Sequence, residues 1–206
     1  MAVVTVAQQK GGAGKTTLAA HLAVAFRQAG RTVATVDIDP QGSLTRWHEI
    51  RAEHMQDIDH SRIQGWRTAQ EVDRLSRRHD MVVIDSPPHA ETEAKIAISK
   101  ANLVLLPVQP SPMDVWATQP TLDLAAKEKV PVLVVMNRVP PRSSLADELA
   151  ETIIGMGVPV AETRIGNRVS LAGALMTGRS VTEGHRSRAS DEIRALAAEV
   201  LARISR

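Results

Sequence analysis

Five short apolar runs, at residues 3–7, 32–37, 81–85, 103–108 and 131–136, punctuate the chain, each rich in Val, Ile or Leu with little polar interruption. Between them lie longer stretches whose apolar positions recur at helical spacing. That alternation is the signature of βαβ units on a parallel sheet with helices on both faces. A weaker sixth run covers residues 158–163. The predicted helices are 15–28, 43–53, 68–78, 91–100, 114–129, 144–154 and 191–204. The first carries Leu18, Leu22, Val24, Ala25 and Phe26 and is ended by Gly30. Pro120 falls inside the fifth and should kink or break it. The last places Ile193, Leu196, Ala197, Val200, Leu201 and Ile204 in a stripe expected to pack into the core. No repeat, low-complexity tract or linker interrupts the 206 residues, so one α/β domain over 1–206 is expected, with a mostly parallel twisted sheet.

Composition narrows this picture. Apolar residues at 43% and charged residues at 23% are the balance of a folded soluble chain. Aromatics are only 2%, so the core must be built from Ala, Val, Leu and Ile, and a base-stacking, single-strand-binding sheet is disfavoured. The absence of Cys excludes disulfides, thiolate metal sites, iron–sulfur ligation and cysteine nucleophiles. There is no signal-like N-terminus and no membrane-length apolar run, so a cytoplasmic location is expected. The net charge is only +2, but Arg164, Arg168, Arg179, Arg186 and Arg188 cluster in a stretch opposed only by Glu183. They predict either a phosphate-facing surface for sequence-independent DNA binding or a scattered, solvated charge set. The seven histidines show no ligand spacing, and the loose group of His54, Asp57 and His60 reads as solvated loop.

Candidate chemistry concentrates where the first strand meets the first helix. Residues 10–17 read Lys-Gly-Gly-Ala-Gly-Lys-Thr-Thr, the phosphate-loop pattern in the strand–loop–helix context it requires. Gly11, Gly12, Ala13 and Gly14 would turn backbone N–H groups onto phosphates, aided by the helix N-terminus. Lys15 would reach the β- and γ-phosphates of ATP, the Thr16 hydroxyl would ligate Mg²⁺, and Thr17 completes the loop. This makes the fold class a P-loop NTPase. Asp37 and Asp39 end the second strand, where α/β proteins bind ligands, and would hold Mg²⁺-bound water and the attacking water; an acidic turn before Pro40 is the plainer alternative. Asp85 ends an apolar run in the manner of a Walker B strand and would join the Mg²⁺ shell.

With Lys10 at its head, this loop resembles the deviant Walker A box of the ParA/MinD-type ATPases. The resemblance extends in motif order over nearly the whole chain and is strongest to the short, ParF-like ParA proteins. It implies a homodimer sandwiched around ATP, in which Lys10 crosses to the partner's nucleotide and acts as an arginine finger does. It further implies that Asp39 positions the attacking water, that residues 86–89 form switch II, and that Asn137 contacts adenine, although an asparagine capping a strand end is common. The segment 107–114 resembles the proline-rich turn that contributes dimer contacts in that group, and reads equally as a stiff strand-to-helix loop. The resemblance implies non-specific DNA binding by the ATP dimer, a nucleoid-associated location and a ParB-like or other small adaptor that stimulates hydrolysis, with Arg186 matching a basic site by position. A MinD-like membrane-positioning ATPase is the alternative, disfavoured because the last helix has no bulky insertion tail. A metabolic ATPase of the same superfamily is the other, disfavoured by the lack of cysteine and of room for a substrate domain.

Overall fold

The computed structural model describes residues 1–65, 67–88 and 91–205. All five apolar runs form strands: β1 (Ala2–Val6), β2 (Val33–Asp37), β4 (Met81–Asp85), β5 (Leu103–Val108) and β6 (Val132–Met136). The sixth strand is not the run at 158–163 but β3 (Asp59–Arg62), a polar segment paired along the outer edge of β2. An edge strand is held by its ladder on one side only and needs no apolar run, so Asp-His-Ser-Arg carries no hydrophobic signal. Residues 158–163 touch β6 through a single bridge, Val134 to Val160, because Pro159 cannot donate to a ladder.

The sheet order is β3-β2-β4-β1-β5-β6, with every ladder parallel. Its helices are α1 (Lys15–Gln28), α2 (Ser43–Ala52), α3 (Arg67–Ser76), α4 (Glu91–Ser99), α5 (Pro112–Trp116), α6 (Gln119–Glu128), α7 (Ser144–Gly155), α8 (Val169–Leu175) and α9 (Arg188–Ile204). The predicted helix at 114–129 is two, α5 and α6, each with proline in its first turn, where the missing N–H costs nothing. The short α8 had no sequence signal strong enough to single out. Helix α9 begins earlier than expected because the Ser187 hydroxyl accepts from the Ser190 amide in a capping box.

Side chains alternate along the strands, so each face meets its own helices. Val4, Val6, Val83 and Leu105 pack with α1, α2, α8 and α9, where Phe26, Ile193, Leu196 and Val200 are fully buried. On the other face, Val3, Val36 and Val82 meet α3 and α4, while Leu106, Val134 and Met136 meet α7. Register aligns the acidic ends: Asp37 on β2 stands opposite Asp85 on β4, and Asp85 opposite Val6 on β1. The carboxyl edge of the sheet thus gathers two carboxylates beside the start of the phosphate loop.

Two buried polar groups fasten the helical layer around α1. The Arg51 side chain, only 1% exposed, donates to both carboxylate oxygens of Asp57 at 2.9 Å and to Glu183 at 2.8 and 3.0 Å. It also donates to the Gly178 carbonyl at 3.1 Å. Glu183, the one acid among the arginine-rich residues, is thereby occupied. Removing one partner of such a buried network strands the others, so Arg51→Ala should cost ~3–5 kcal/mol in chemical denaturation. A loss under 1 kcal/mol would show that water replaces the guanidinium.

His21 is the second buried group, with Nε2 3.0 Å from the Leu171 carbonyl and Nδ1 2.9 Å from Ser180 Oγ. Burial pushes its pKa down to about 4, against the weaker opposite pull of the Leu171 carbonyl and the Glu183 charge. The unfolded chain therefore binds a proton here between pH 6.5 and 4 that the folded chain refuses. His21's contribution is complete above the unfolded value and is lost as pH falls through that window, by up to about 3 kcal/mol. His60 is also pushed down to about 4, by burial first and then by His48. Denaturation profiles should show stability dropping across this window, with a shallower drop in His21→Gln; equal slopes would contradict the assignment.

Candidate functional site

Between β1 and α1 the chain turns through Gly12 and Gly14, whose φ values of 78° and 91° lie where side chains are strained. Gly14 has a second constraint. A Cβ there would sit 2.5 Å from Asn137 Nδ2. No side chain caps α1, so its first-turn amides are left to the cleft, where the positive end of the helix favours an anion. Asn137 follows β6, is nearly buried, and donates from Nδ2 to the Ala13 carbonyl at 2.7 Å. Its amide nitrogen, expected at an adenine edge, here holds the loop down.

Lys15 lies under this loop with Nζ 3.4 Å from the Lys10 carbonyl. Burial lowers its pKa, opposed by the charges of Asp85 and Asp39. Thr16 Oγ1 donates to Asp85 Oδ2 at 2.6 Å. The other oxygen of Asp85 is buried with no hydrogen-bond partner among the described residues. Burial pushes Asp85 up to about 7; the Thr16 hydrogen bond and the Lys15 charge pull down, while Asp37 and Asp39 push up.

The two other carboxylates have separate surroundings. Asp37 accepts from the Asp39 amide at 3.0 Å and from the amide and hydroxyl of Thr45, both at 2.8 Å. It fixes the turn after β2 and the first turn of α2, and Thr45 in turn contacts His60 Nε2 at 3.0 Å. Asp39 accepts from the Gln41 amide at 2.9 Å and lines the cleft. The arrangement therefore brings Lys15, Thr16, Asp39 and Asp85 together, with Asp37 behind them as their support.

The cleft over the loop has a volume of about 220 Å³ and is lined by Gly11, Gly12, Gly14 to Thr17, Asp39, Gln41, Pro88 and Arg138 among others. A hollow of about 230 Å³ adjoins it, sharing Gly14, Thr17 and Arg138 and extending to Asn137 and Gly166 through Val169. Larger space exists along α3, about 960 Å³, but it lies away from the loop; the chemistry, not the volume, marks the site. Arg138 was not singled out from sequence. Its φ of 54° is uncommon for a residue with a side chain, and a positively charged residue directly after Asn137 was the available signal. Of residues 86–89, Ser86 donates to the Val6 carbonyl at 3.0 Å and Pro88 lines the cleft, while His89 lies outside the described residues.

The residues fit a Mg²⁺-nucleotide. A hydroxyl beside a buried carboxylate oxygen without a partner is a hard-oxygen donor set in need of a cation. Among the described residues no group of three or more His, Cys, Asp or Glu side chains surrounds a metal position.

Three of the five arginines are held in ion pairs. Arg164 pairs with Asp147, and Arg168 pairs with Glu192 while lining the hollow beside Asn137. Arg186, 86% exposed, lies 3.3 Å from Asp191. Arg179 and Arg188 are exposed and form no ion pair among the described residues. Lys10, expected to reach outward, is paired with Asp114 of its own chain.

Fold and loop together define a P-loop nucleotide-binding protein. Residues 4–181 match the CobQ/CobB/MinD/ParA nucleotide binding domain, and the chain belongs to that family, as an ATPase of the ParA/MinD type. It is 34% identical over 211 residues to maintenance of carboxysome distribution protein A of Halothiobacillus neapolitanus, covering 95% of this chain and 94% of that one. Protein ParA of Rhizobium radiobacter is 31% identical over 193 residues, covering 86% and 84%. Two solved structures share the fold: the cell division ATPase MinD of Pyrococcus furiosus, with a TM-score of 0.80, 22% identity and 98% of both chains, and an ATP complex of Cyanothece McdA, with a TM-score of 0.80, 20% identity and 98% and 96% coverage.

Gly14→Ala should weaken MgATP binding by about 100-fold or more, because the methyl group displaces Asn137 and the turn loses its left-handed residue. Calorimetry checks this, and wild-type affinity in the variant would refute the loop's role.

Proposed function

We propose that the chain is a ParA-type positioning ATPase that dimerises around MgATP, holds non-specific DNA as a dimer and releases it on hydrolysis. The observation that carries this reading is the cation-deficient pair of Thr16 and Asp85 beneath a glycine loop headed by Lys10. Bound Mg²⁺ would neutralise phosphate charge, held by Thr16 and Asp85. Lys15 would contact the β- and γ-phosphates from below. Asp39, in the cleft wall, would orient the attacking water, while Asp37 keeps the turn that carries it. Lys10 would serve the second copy's nucleotide.

Two features support a dimer on this edge. Met113 and Trp116, 63% and 69% exposed, lie on α5, the helix that carries the Lys10 partner Asp114. The proline-rich loop before α5 donates from Gln109 Nε2 to the Gly12 carbonyl at 3.1 Å, so this face is tied to the phosphate loop. ATP binding would then bias a monomer–dimer equilibrium, and a DNA surface would read the dimer through avidity.

Among the candidate DNA contacts, Arg179, Arg186 and Arg188 are the exposed set, Arg186 with an exposed pairing to Asp191, and Arg164 and Arg168 contribute less because they are half-buried as well as paired. The names of the relatives, one for carboxysome distribution and one for ParA, support a DNA or protein-assembly cargo handed over by a small adaptor protein, and with it a nucleoid-associated location. A membrane-positioning role is less favoured because Ile193, Leu196, Ala197 and Val200 of α9 are buried against α1 and the sheet. No helix of the described residues is long and apolar enough to cross a membrane.

ATP-dependent retention on non-specific duplex DNA tests the reading. The wild type should bind with ATP, fall off steeply with added salt, and lose about tenfold or more on Arg186→Glu with Arg188→Glu. Lys15→Ala should lose retention altogether. Retention that ignores ATP, or survives both arginine reversals, would overturn the assignment.

A further inference from the structure

Lys10 and Asp114 form an unequal pair. The lysine side chain is 38% exposed at the cleft edge, whereas the carboxylate is only 4% exposed, with 2.5 Å between Nζ and Oδ2. The second oxygen of Asp114 is buried without a hydrogen-bond partner among the described residues. Asp114 lies in the first turn of α5, entered through the stiff sequence Pro110-Ser111-Pro112, and no side chain caps that helix. Lys10 is therefore the one cation that pairs with this carboxylate among the described residues. Gln109, from the same loop, holds the Gly12 carbonyl. One rigid turn thus grips the phosphate loop at two points, through a neutral hydrogen bond and through a charge.

The ATP dimer makes a second demand on the same ammonium. An ammonium that turns outward to another copy's phosphates leaves the Asp114 carboxylate buried and without its counter-charge, and breaking a buried pair is costly. We propose that Asp114 is a positioning residue for Lys10: it keeps the ammonium on its own protomer in the absence of nucleotide, so that dimerisation proceeds only when phosphate charge outcompetes the carboxylate. The inference rests on the dimer reading above and adds to it a restraint against premature or nucleotide-poor pairing. A guanidinium or ammonium between two anions goes to the one that offers more charge; a triphosphate offers more than one carboxylate.

The test is a double-mutant cycle read by sedimentation across protein concentration, with a non-hydrolysed ATP analogue and Mg²⁺ at saturation. Asp114→Asn keeps the shape and removes the charge, and its dimer dissociation constant should fall about tenfold or more relative to wild type. In a Lys10→Ala background the same substitution should change nothing, since no ammonium remains to release. An Asp114→Asn dimer no tighter than wild type overturns the tether, and so does an equal gain in the Lys10→Ala background. Should Asp114→Asn fail to fold, the wild type still decides: the Lys10 ammonium resonance, assigned through Lys10→Arg, should be protected from water exchange in the nucleotide-free chain and should shift when the analogue binds. An ammonium that is unprotected without nucleotide, or unmoved with it, refutes the proposal. A wild type that stays monomeric with nucleotide overturns both this inference and the dimer reading, whereas a normal wild-type dimer with an inert Asp114 overturns only the tether.

Discussion

A buried carboxylate with one oxygen on a threonine hydroxyl and the other without a partner among the described residues is the constraint around which this molecule is organised. Asp85 closes β4 deep at the sheet edge, where desolvation pushes its pKa to about 7. Among the described residues, Lys15, itself desolvated, and the Thr16 hydroxyl relieve that penalty. The site is built electrostatically incomplete. A divalent cation with polyphosphate would satisfy both groups at once, giving the carboxylate a counter-ion and the lysine an anion.

The topology explains why these groups meet. A sheet ordered β3-β2-β4-β1-β5-β6 sets β1 and β2 on either side of β4, so their carboxyl ends deliver the phosphate loop, Asp37 and Asp85 to one crevice. Support then spreads outward through hydrogen bonds. Asp37 holds the turn bearing Asp39, Thr45 links Asp37 to His60 on β3, and Asn137 ties the loop to the end of β6. His21 ties α1 to the Leu171 carbonyl and to Ser180, and the Arg51 network ties the neighbouring α2 to Gly178 and Glu183, so the layer that carries the phosphate-loop helix is held by polar as well as apolar contacts.

Much of this was legible in the sequence because the informative features are local. Apolar runs long enough to be covered on both faces marked β1, β2, β4, β5 and β6, and the glycine-rich loop announced its own neighbours. What escaped was whatever depends on pairing between distant residues. The polar strand β3 exists because β2 offers a free edge, and residues 158–163 read as a strand only until Pro159 is set against β6. Asp37 looked like an equal of Asp39, yet its oxygens are spent on backbone and Thr45. Five arginines close in sequence read equally as a surface or as a scattered set, and their partners Asp147, Glu192 and Asp191 could not be read from that stretch. Arg51 gave no signal because an arginine on a helix is ordinarily solvated; its acceptors Asp57 nearby and Gly178 and Glu183 from far along the chain make it a core residue.

The central claim is that the crevice at the end of β4 is completed by a metal-bound triphosphate. Isothermal titration of the wild-type chain with ATP, run in excess Mg²⁺ and again in excess chelator, tests it most directly. The account predicts saturable binding of one nucleotide per chain that weakens at least tenfold without the cation. Equal affinity under both conditions, or no binding in either, would contradict it.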